Sequence, residues 1–260
     1  MQEGQGNPPK RKGLESTTVA IIVIAVVAVV LVGSVGTYLL FRQVLDEIDD
    51  NGHYEYTESV EYEYPADSYT TLDVSNVNGY VKIIGDVDAT AIDIDGLKKA
   101  HSEEELDDME LQITKDAGTL VLVVIHELDD NTNESMDLDI SIPADIIVKS
   151  AESINGKVEV SGVESVNRVH ATNGAIMLEI IGIDKNVSVS TINGVIDVYI
   201  LTSLNATVDM TTINGVISLN DVSLDLTVNE PNHVSGELNS GGYSIVIETV
   251  NGEIDLHALG

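Results

Sequence analysis

One short phrase returns six times in this sequence: Asn-Gly, any residue, an aliphatic residue, any residue, an aliphatic residue. The six pairs are Asn78-Gly79, Asn155-Gly156, Asn173-Gly174, Asn193-Gly194, Asn214-Gly215 and Asn251-Gly252. From Gly156 to Gly215 successive glycines of the phrase lie 18, 20 and 21 residues apart. A period near 20 indicates one small supersecondary unit that is repeated, so the phrase constrains the whole fold.

The residues around each pair indicate two short strands joined by a corner. Counted from the glycine, positions +2 and +4 are aliphatic in all six copies, positions −5 and −7 are often apolar, and position −2 is aliphatic in five copies. We expect each Asn-Gly to be a structural turn, because glycine accepts a positive φ without a Cβ clash and Asn tolerates it next best. Lys149 and Asn167 stand at −7, which predicts that the first units are irregular.

Two architectures satisfy this pattern. If Asn-Gly is a two-residue hairpin turn, neighbouring strands pair antiparallel in a meander. If it is a solenoid corner, each unit is one rung and successive rungs pair in parallel. The nearly constant spacing favours the solenoid, with rungs about 4.8 Å apart and the Asn side chains stacked in ladders at the corner. We therefore predict an all-β, β-solenoid or β-helix-like repeat domain with one short helix.

Charge divides the chain into two unequal parts. The net charge is −32, and residues 43–260 hold 8 Lys/Arg against 42 Asp/Glu. So acidic a domain repels phosphate backbones, and we predict no nucleic-acid partner. The chain has no cysteine, which excludes disulfides and thiolate metal sites. The charge is consistent with salty surroundings and equally with an ordinary acidic surface protein.

An uncharged apolar run occupies residues 17–41 and is long enough to cross the hydrocarbon of a bilayer as one helix. Lys10, Arg11 and Lys12 precede the run, and acidic residues follow it soon after Arg42. The positive-inside rule then predicts a cytoplasmic basic tail at 1–16, a single transmembrane helix at 17–41 and an extracytoplasmic C-terminal domain. A second interpretation stays open: Lys12-Gly13 before Leu14-Glu15 and an apolar helix resembles the processing site of type IV pilin-like precursors.

The external part begins with a linker and Tyr/acid-rich strands at residues 42–70. Tyrosine alternates with acid in 53–57 and 61–65, a period of two that is typical of strands. Ser102 with Glu105 forms a capping box and predicts a short helix from Ser102 to Met109. A hairpin around 116–118 and a strand at 137–142 that ends at Pro143 are predicted next, and the main domain occupies 71–260.

The region from about residue 72 to residue 256 resembles the putative-adhesin family, all-β domains of bacterial and archaeal envelope proteins. The resemblance rests on Val77-Asn78-Gly79, the acidic helix 103–108, the hairpin Asp116-Ala117-Gly118-Thr119-Leu120, Ile142-Pro143 and the serial [Ser/Thr]-x-Asn-Gly rungs. It implies a β-solenoid and frequent membrane anchoring. The family has no assigned reaction or catalytic residues, so none can be carried over.

The sequence contains no constellation typical of catalysis. The six histidines are scattered without zinc spacing, and there is no nucleophile elbow or phosphate-binding glycine loop. Asp86 and Asp88, or Asp93 and Asp95, could offer oxygens to calcium, but neither pair matches a known loop. A solenoid hydrolase or lyase would need stacked carboxylates, whereas the +3 residues form a mixed column: Lys82, Glu159, Met177, Asp197, Ser218 and Asp255. We predict no catalytic, metal or cofactor site and no enzyme.

We therefore expect a membrane-anchored, extracytoplasmic surface protein with a structural or adhesive, non-catalytic domain. Its partners would be the membrane and a protein or surface-glycan ligand. Three sequons are candidate glycosylation sites: Asn133, Asn186 and Asn205. The alternatives are a type IV pilin-like filament subunit and an envelope signalling or stress partner protein.

Overall fold

Short runs of Val, Ile and Leu form strands in the computed structural model, which describes residues 54–126 and 134–259. In chain order the strands are β1 (Tyr56–Pro65), β2 (Thr71–Asn78), β3 (Val81–Asp86), β4 (Ala91–Ala100), β5 (Met109–Asp116), β6 (Thr119–His126), β7 (Ser135–Pro143), β8 (Ile147–Asn155), β9 (Val158–Ser161), β10 (Arg168–Asn173), β11 (Ile176–Ile180), β12 (Val187–Asn193), β13 (Ile196–Leu201), β14 (Ala206–Asn214), β15 (Ile217–Asn220), β16 (Asp225–Glu230), β17 (His233–Leu238), β18 (Tyr243–Asn251) and β19 (Ile254–Leu259). One short helix, α1 (Glu103–Asp108), interrupts them. The all-β prediction is confirmed.

The strands form two open sheets. Sheet 1 has the spatial order β1-β4-β7-β3-β9-β11-β13-β19-β15, and sheet 2 has the order β16-β17-β14-β18-β12-β10-β8-β2-β6-β5. Alternate residues of both sheets are buried in one shared hydrophobic core of aliphatic side chains. The predicted inward positions belong to it: Val189 at −5, Ile196 at +2 and Val198 at +4 are fully buried. β-branched side chains suit this arrangement because they pack well on a pleated surface.

The two strands around each Asn-Gly lie in different sheets, so the pair is not a hairpin turn. β12 belongs to sheet 2 and β13 to sheet 1, and each pairs in parallel with the equivalent strands of neighbouring units. We call one Asn-Gly pair with its two flanking strands a rung. The six rungs are β2–β3, β8–β9, β10–β11, β12–β13, β18–β19 and β14–β15. At the corners their pairing is in register, and each Asn lies opposite the Asn of the next rung.

The rungs do not stack in chain order. The first four follow the sequence, from Asn78 through Asn155 and Asn173 to Asn193, and the next Asn in space is Asn251. The Asn214 rung lies outermost, on the far side of the last rung of the chain. The reason is visible at β14, whose other edge pairs antiparallel with β17. Only one edge of β14 then remains for a parallel neighbour, and β18 occupies it.

Antiparallel strands complete the other end of both sheets. β1 pairs with β4 over ten residues, so the Tyr/acid-rich stretch is one continuous strand of sheet 1. Tyr56 and Tyr64 pack against the core, and Tyr69 is buried in it. β5 and β6 form the predicted hairpin, with left-handed φ angles at Ala117 and Gly118.

The helix prediction is confirmed in detail. The hydroxyl of Ser102 accepts the N–H of Glu105, and the carboxylate of Glu105 accepts the N–H of Ser102. This capping box satisfies two backbone donors that the helix itself cannot. Leu106 is the buried residue of α1, which fixes the helix against the core.

The irregularity predicted from Lys149 is a shift in register, whereas Asn167 lies just before the start of β10. Between β2 and β8, Leu72 lies opposite Val148, whereas the next residue, Asp73, lies opposite Ser150. Lys149 is therefore the extra residue of a bulge, and Val148 takes the buried position. Lys149 points outward, where its ammonium lies 2.8 Å from the carboxylate of Asp73.

Several predictions fall on residues outside the described ranges. These are the basic tail 1–16, the transmembrane helix 17–41, the processing site after Gly13 and the sequon at Asn133. Within residues 54–126 and 134–259, no helix is long and apolar enough to cross a membrane.

Candidate functional surface

The six Asn side chains form a hydrogen-bonded ladder along the outside of the rungs. The Nδ2 of five of the six Asn residues donates to the Oδ1 of the neighbouring Asn at 2.7–2.8 Å. At one end of the ladder the Nδ2 of Asn78 donates instead to the backbone carbonyl of Glu134, at 3.2 Å. Stacked amides at the strand spacing reinforce an in-register parallel array, because each carboxamide both donates and accepts.

A second layer of hydrogen bonds lies just inside the ladder, at position −3 from four of the six corner glycines. Thr191, Thr212 and Thr249 donate their hydroxyls to the glycine carbonyl of the adjacent rung, at 3.0–3.3 Å. Ser153 does the same to Gly79 at 3.1 Å. The [Ser/Thr]-x-Asn-Gly spacing could have predicted that these hydroxyls point inward. Residues two apart on a strand share a face, so position −3 faces the same way as the buried positions −5 and −7.

The glycines are needed mainly because the rungs approach each other closely. A Cβ added at Gly194 would lie 2.0 Å from the carbonyl oxygen of Gly174, and one at Gly252 would lie 1.8 Å from that of Gly194. The expected positive φ occurs at Gly79, with φ of 112°, but at none of the other five corner glycines. That part of the prediction is therefore wrong: at those five corners glycine provides space for a neighbouring backbone.

An acidic row crosses the outer face of sheet 1. Glu61 lies opposite Asp95, Asp95 lies opposite Asp139, and Lys82 separates Asp139 from Glu159. The row continues through the +3 residues of the remaining rungs. Because the Asn251 rung lies between the Asn193 and Asn214 rungs, Asp197 and Asp255 are direct neighbours, and Ser218 lies on the other side of Asp255. Sequence order alone had placed Ser218 between these two acids.

Two carboxyl groups of this row have raised pKa values. Burial is the main cause for Asp139, whereas the hydrogen bond from the Tyr80 hydroxyl and the charge of Lys82 act in the opposite direction. Burial also raises the pKa of Asp95, and the neighbouring carboxylates of Glu61, Asp139 and Asp93 raise it further. Like charges opposite each other in a sheet are destabilising, so these groups hold protons more tightly than free aspartates.

The other polar candidates do not assemble into a ligand set. His126 contacts Glu134 at 2.8 Å, and His257 stacks on Tyr199. In the described part of the chain, no three His, Asp or Glu side chains converge where they could hold a metal ion. Asp86 accepts the N–H of Asp88 in a tight turn. Asn186 and Asn205 are exposed, and their side-chain oxygens accept the N–H groups of Ser244 and Ser240.

The fold is similar to that of a solved bacterial protein. A protein described as a "putative cell adhesion protein", from Clostridium sporogenes, superposes on 78% of this chain and 100% of its own, with a TM-score of 0.59 and 16% identity. The chain shares its fold with this protein. A "putative adhesin" from Bacteroides fragilis aligns over 78% of this chain and 97% of its own, but its TM-score of 0.32 and 11% identity are too low to support an inference. At these identities the putative-adhesin likeness concerns the fold alone.

No protein-family model matches the sequence, and no curated protein matches it. The likeness to the putative-adhesin fold is thus carried by the strand arrangement, with the Asn ladder and the glycine contacts as its local determinants in this chain.

Replacing a corner glycine should be far more destabilising than replacing its neighbour. We expect Gly194→Ala to lower the free energy of unfolding by about 3 kcal/mol, because the new Cβ forces two rungs apart. Val195→Ala is the matched control, since Val195 is exposed and its change should cost less than about 1 kcal/mol. Urea titration of the full chain measures both. Equal effects of the two substitutions would contradict the close-approach explanation.

Removing the Asp139 charge should stabilise the fold at neutral pH. Because the folded-state pKa of Asp139 is raised, its ionisation costs stability above that pKa, and the cost disappears below the unfolded pKa of about 3.9. Asp139→Asn should therefore melt at a higher temperature than the unmodified chain at pH 7, with no difference near pH 3. Asp225→Asn removes the same charge from an exposed site and should change the melting temperature less at pH 7. A pH-independent effect of Asp139→Asn would exclude this account.

Proposed function

We propose that the chain is a membrane-anchored, extracytoplasmic surface protein whose domain is structural or adhesive and non-catalytic. The single observation that carries this proposal is the in-register array of six rungs, which offers a long periodic surface. The Clostridium sporogenes protein with a similar fold is described as a putative cell adhesion protein, and this supports the same interpretation. The ligand class we propose is a protein or a surface glycan, since an extended array suits an extended partner.

We further propose that the rung region is a β-solenoid whose last two rungs are exchanged in order. The support is the alternation of each rung between the two sheets and the parallel register of its neighbours. The antiparallel strands β1, β4 and β5 then close one end of the stack, and β16 and β17 cover β14 at the other end.

The non-catalytic role is supported by how the surface acids are used. Glu159 lies 2.9 Å from Lys157, Asp137 forms an ion pair with Lys99, and Asp139 accepts the hydroxyl of Tyr80. These contacts hold charges in place on a sheet face. A hydrolase would instead direct a carboxylate pair into a substrate groove, whereas the neighbouring Asp197 and Asp255 lie on the outer face of sheet 1.

Anchoring and orientation are proposed from the sequence: the uncharged run 17–41, the preceding basic residues and the acidic C-terminal part. The localisation that follows is a cell membrane with the N-terminus in the cytoplasm. Two other functions share the same anchor. A pilin-like subunit would be cut after Gly13, and an envelope signalling protein would hold a fixed membrane partner.

A protease-protection experiment on intact cells tests the proposed orientation. Cells that produce the full chain with one tag at each end should lose the C-terminal tag on protease treatment and keep the N-terminal tag. Protection of the C-terminal tag would reject the orientation. Mass spectrometry of the same material reports whether the chain starts at Met1, as an anchor requires, or at Leu14, as a pilin requires.

The adhesive role is tested by measuring how well cells are retained with and without the C-terminal domain. Producing cells should be retained several-fold better on immobilised envelope fractions of the same strain than cells that produce residues 1–53 alone, which keep the anchor. Equal retention would reject adhesion while leaving the orientation intact. A stoichiometric membrane protein that co-purifies in mild detergent would favour the signalling alternative.

A further inference from the structure

The rung corners carry exposed aliphatic side chains that the core does not use. Position −2 has the opposite parity to the buried positions, so it faces outward. Ile154, Ile192 and Ile213 are 46%, 42% and 64% exposed, and across the corner Val195 and Val216 are 38% and 50% exposed. These side chains and the Asn ladder lie in six five-residue segments, one at each corner. We call these segments together the corner ridge: 76–80, 153–157, 171–175, 191–195, 249–253 and 212–216.

The corner ridge is almost free of charge in a chain whose net charge is −32. Its thirty residues include one basic residue, Lys157, and one acidic residue, Glu253. Acids border it on both sides: Glu152 and Glu248 lie on the outer face of sheet 2, and Asp197 and Asp255 on that of sheet 1. A strip of aliphatic and amide side chains with almost no charge, bordered by a charged rim, has the composition of a protein interface.

From this distribution we infer that the corner ridge is a self-association surface, on which a second copy of this chain docks ridge to ridge. The inference goes beyond the adhesive role and does not depend on membrane anchoring. Two copies that meet through acidic faces repel each other, whereas two ridges bring together aliphatic side chains without opposing charges. A foreign acidic or basic partner would find only Lys157 and Glu253 as charged residues on the ridge, one of each sign.

The ladder is also self-complementary in hydrogen bonding. Each Asn inside it uses one N–H and one lone pair for its neighbours in the ladder. One N–H donor and one acceptor position per carboxamide are left facing outward. A two-fold contact needs a surface that complements itself, and a row of alternating donors and acceptors does so.

The size of the ridge predicts a weak, salt-dependent dimer. Six rungs at about 4.8 Å give a strip about 24 Å long, which is at the small end of specific interfaces. Electrostatic repulsion between two chains, each with a net charge of −32, opposes dimerisation over long distances. Salt removes that repulsion but leaves the apolar contact, so association should strengthen as salt is added.

The test uses the full chain in mild detergent micelles, with sedimentation measured between about 0.1 M and about 1 M NaCl, where the Debye length falls from about 10 Å to about 3 Å. We expect the fraction of dimer to rise with salt. Ile192→Glu should weaken association about tenfold, and Ile192→Thr, which keeps a β-branched residue, should weaken it less. Val87→Glu is the matched control, because Val87 is 83% exposed in the turn after β3, away from the ridge, and its change should alter association less than about twofold.

Cysteine cross-linking identifies the contact directly, because the chain has no cysteine of its own. Under oxidising conditions Ile192→Cys should give intermolecular disulfides, and Val87→Cys should give several-fold fewer. Association through residues 17–41 would affect both variants equally. A chain that is monomeric at every salt concentration, or disulfides that form equally at both positions, would overturn the inference. Monomers whose envelope binding is lost in Ile192→Glu would assign the ridge to a foreign ligand and would also overturn it.

Discussion

The structure depends on how closely neighbouring backbones approach at the Asn-Gly corners. At five of the six corners, the glycine carbonyl oxygen of the adjacent rung occupies the space that a Cβ would fill, and at Gly79 the carbonyl oxygen of Met136 does so. The Asn before each glycine is part of the Asn ladder, and at four corners a Ser or Thr hydroxyl at −3 donates to the glycine carbonyl of the adjacent rung. These contacts at positions −3, −1 and 0 fix the register, and register determines which side chains enter the core.

Register also explains why the chain can be acidic without losing its fold. The core is built from side chains that alternate inward on both sheets, so the acids are confined to outer faces. Where they meet, as at Asp95 and Asp139, the cost appears as raised pKa values of the carboxyl groups. Lys82, Lys99 and Lys157 are placed among the acids of sheet 1 and offset part of that cost. The corners contain almost no acidic residues, so a second copy of the chain can approach there without facing a row of like charges.

Much of this could be predicted from local sequence. The capping box at Ser102, the hairpin near Gly118 and the alternating aliphatics each depend on a few adjacent residues, and the structure has them where they were expected. The order of the rungs could not be predicted, since every rung carries the same corner chemistry and any of them can be stacked beside any other. It is decided by the β16–β17 hairpin, which covers one edge of β14. The outward direction of position −2 could also be predicted, because its parity is opposite to that of the buried positions and marks Ile154 and Ile213 as outward.

The central claim is the parallel stack in which the last rung lies between those of Asn193 and Asn214. Paired cysteines test it most directly. Cα atoms that lie opposite each other on adjacent rungs are close enough for a disulfide, whereas Cα atoms two rungs apart are too far from each other. The double variant Asn193→Cys/Asn251→Cys should form an intramolecular disulfide readily, as should Asn214→Cys/Asn251→Cys. Asn193→Cys/Asn214→Cys should remain reduced. A disulfide between positions 193 and 214, without one between 193 and 251, would show rungs stacked in chain order and contradict this account.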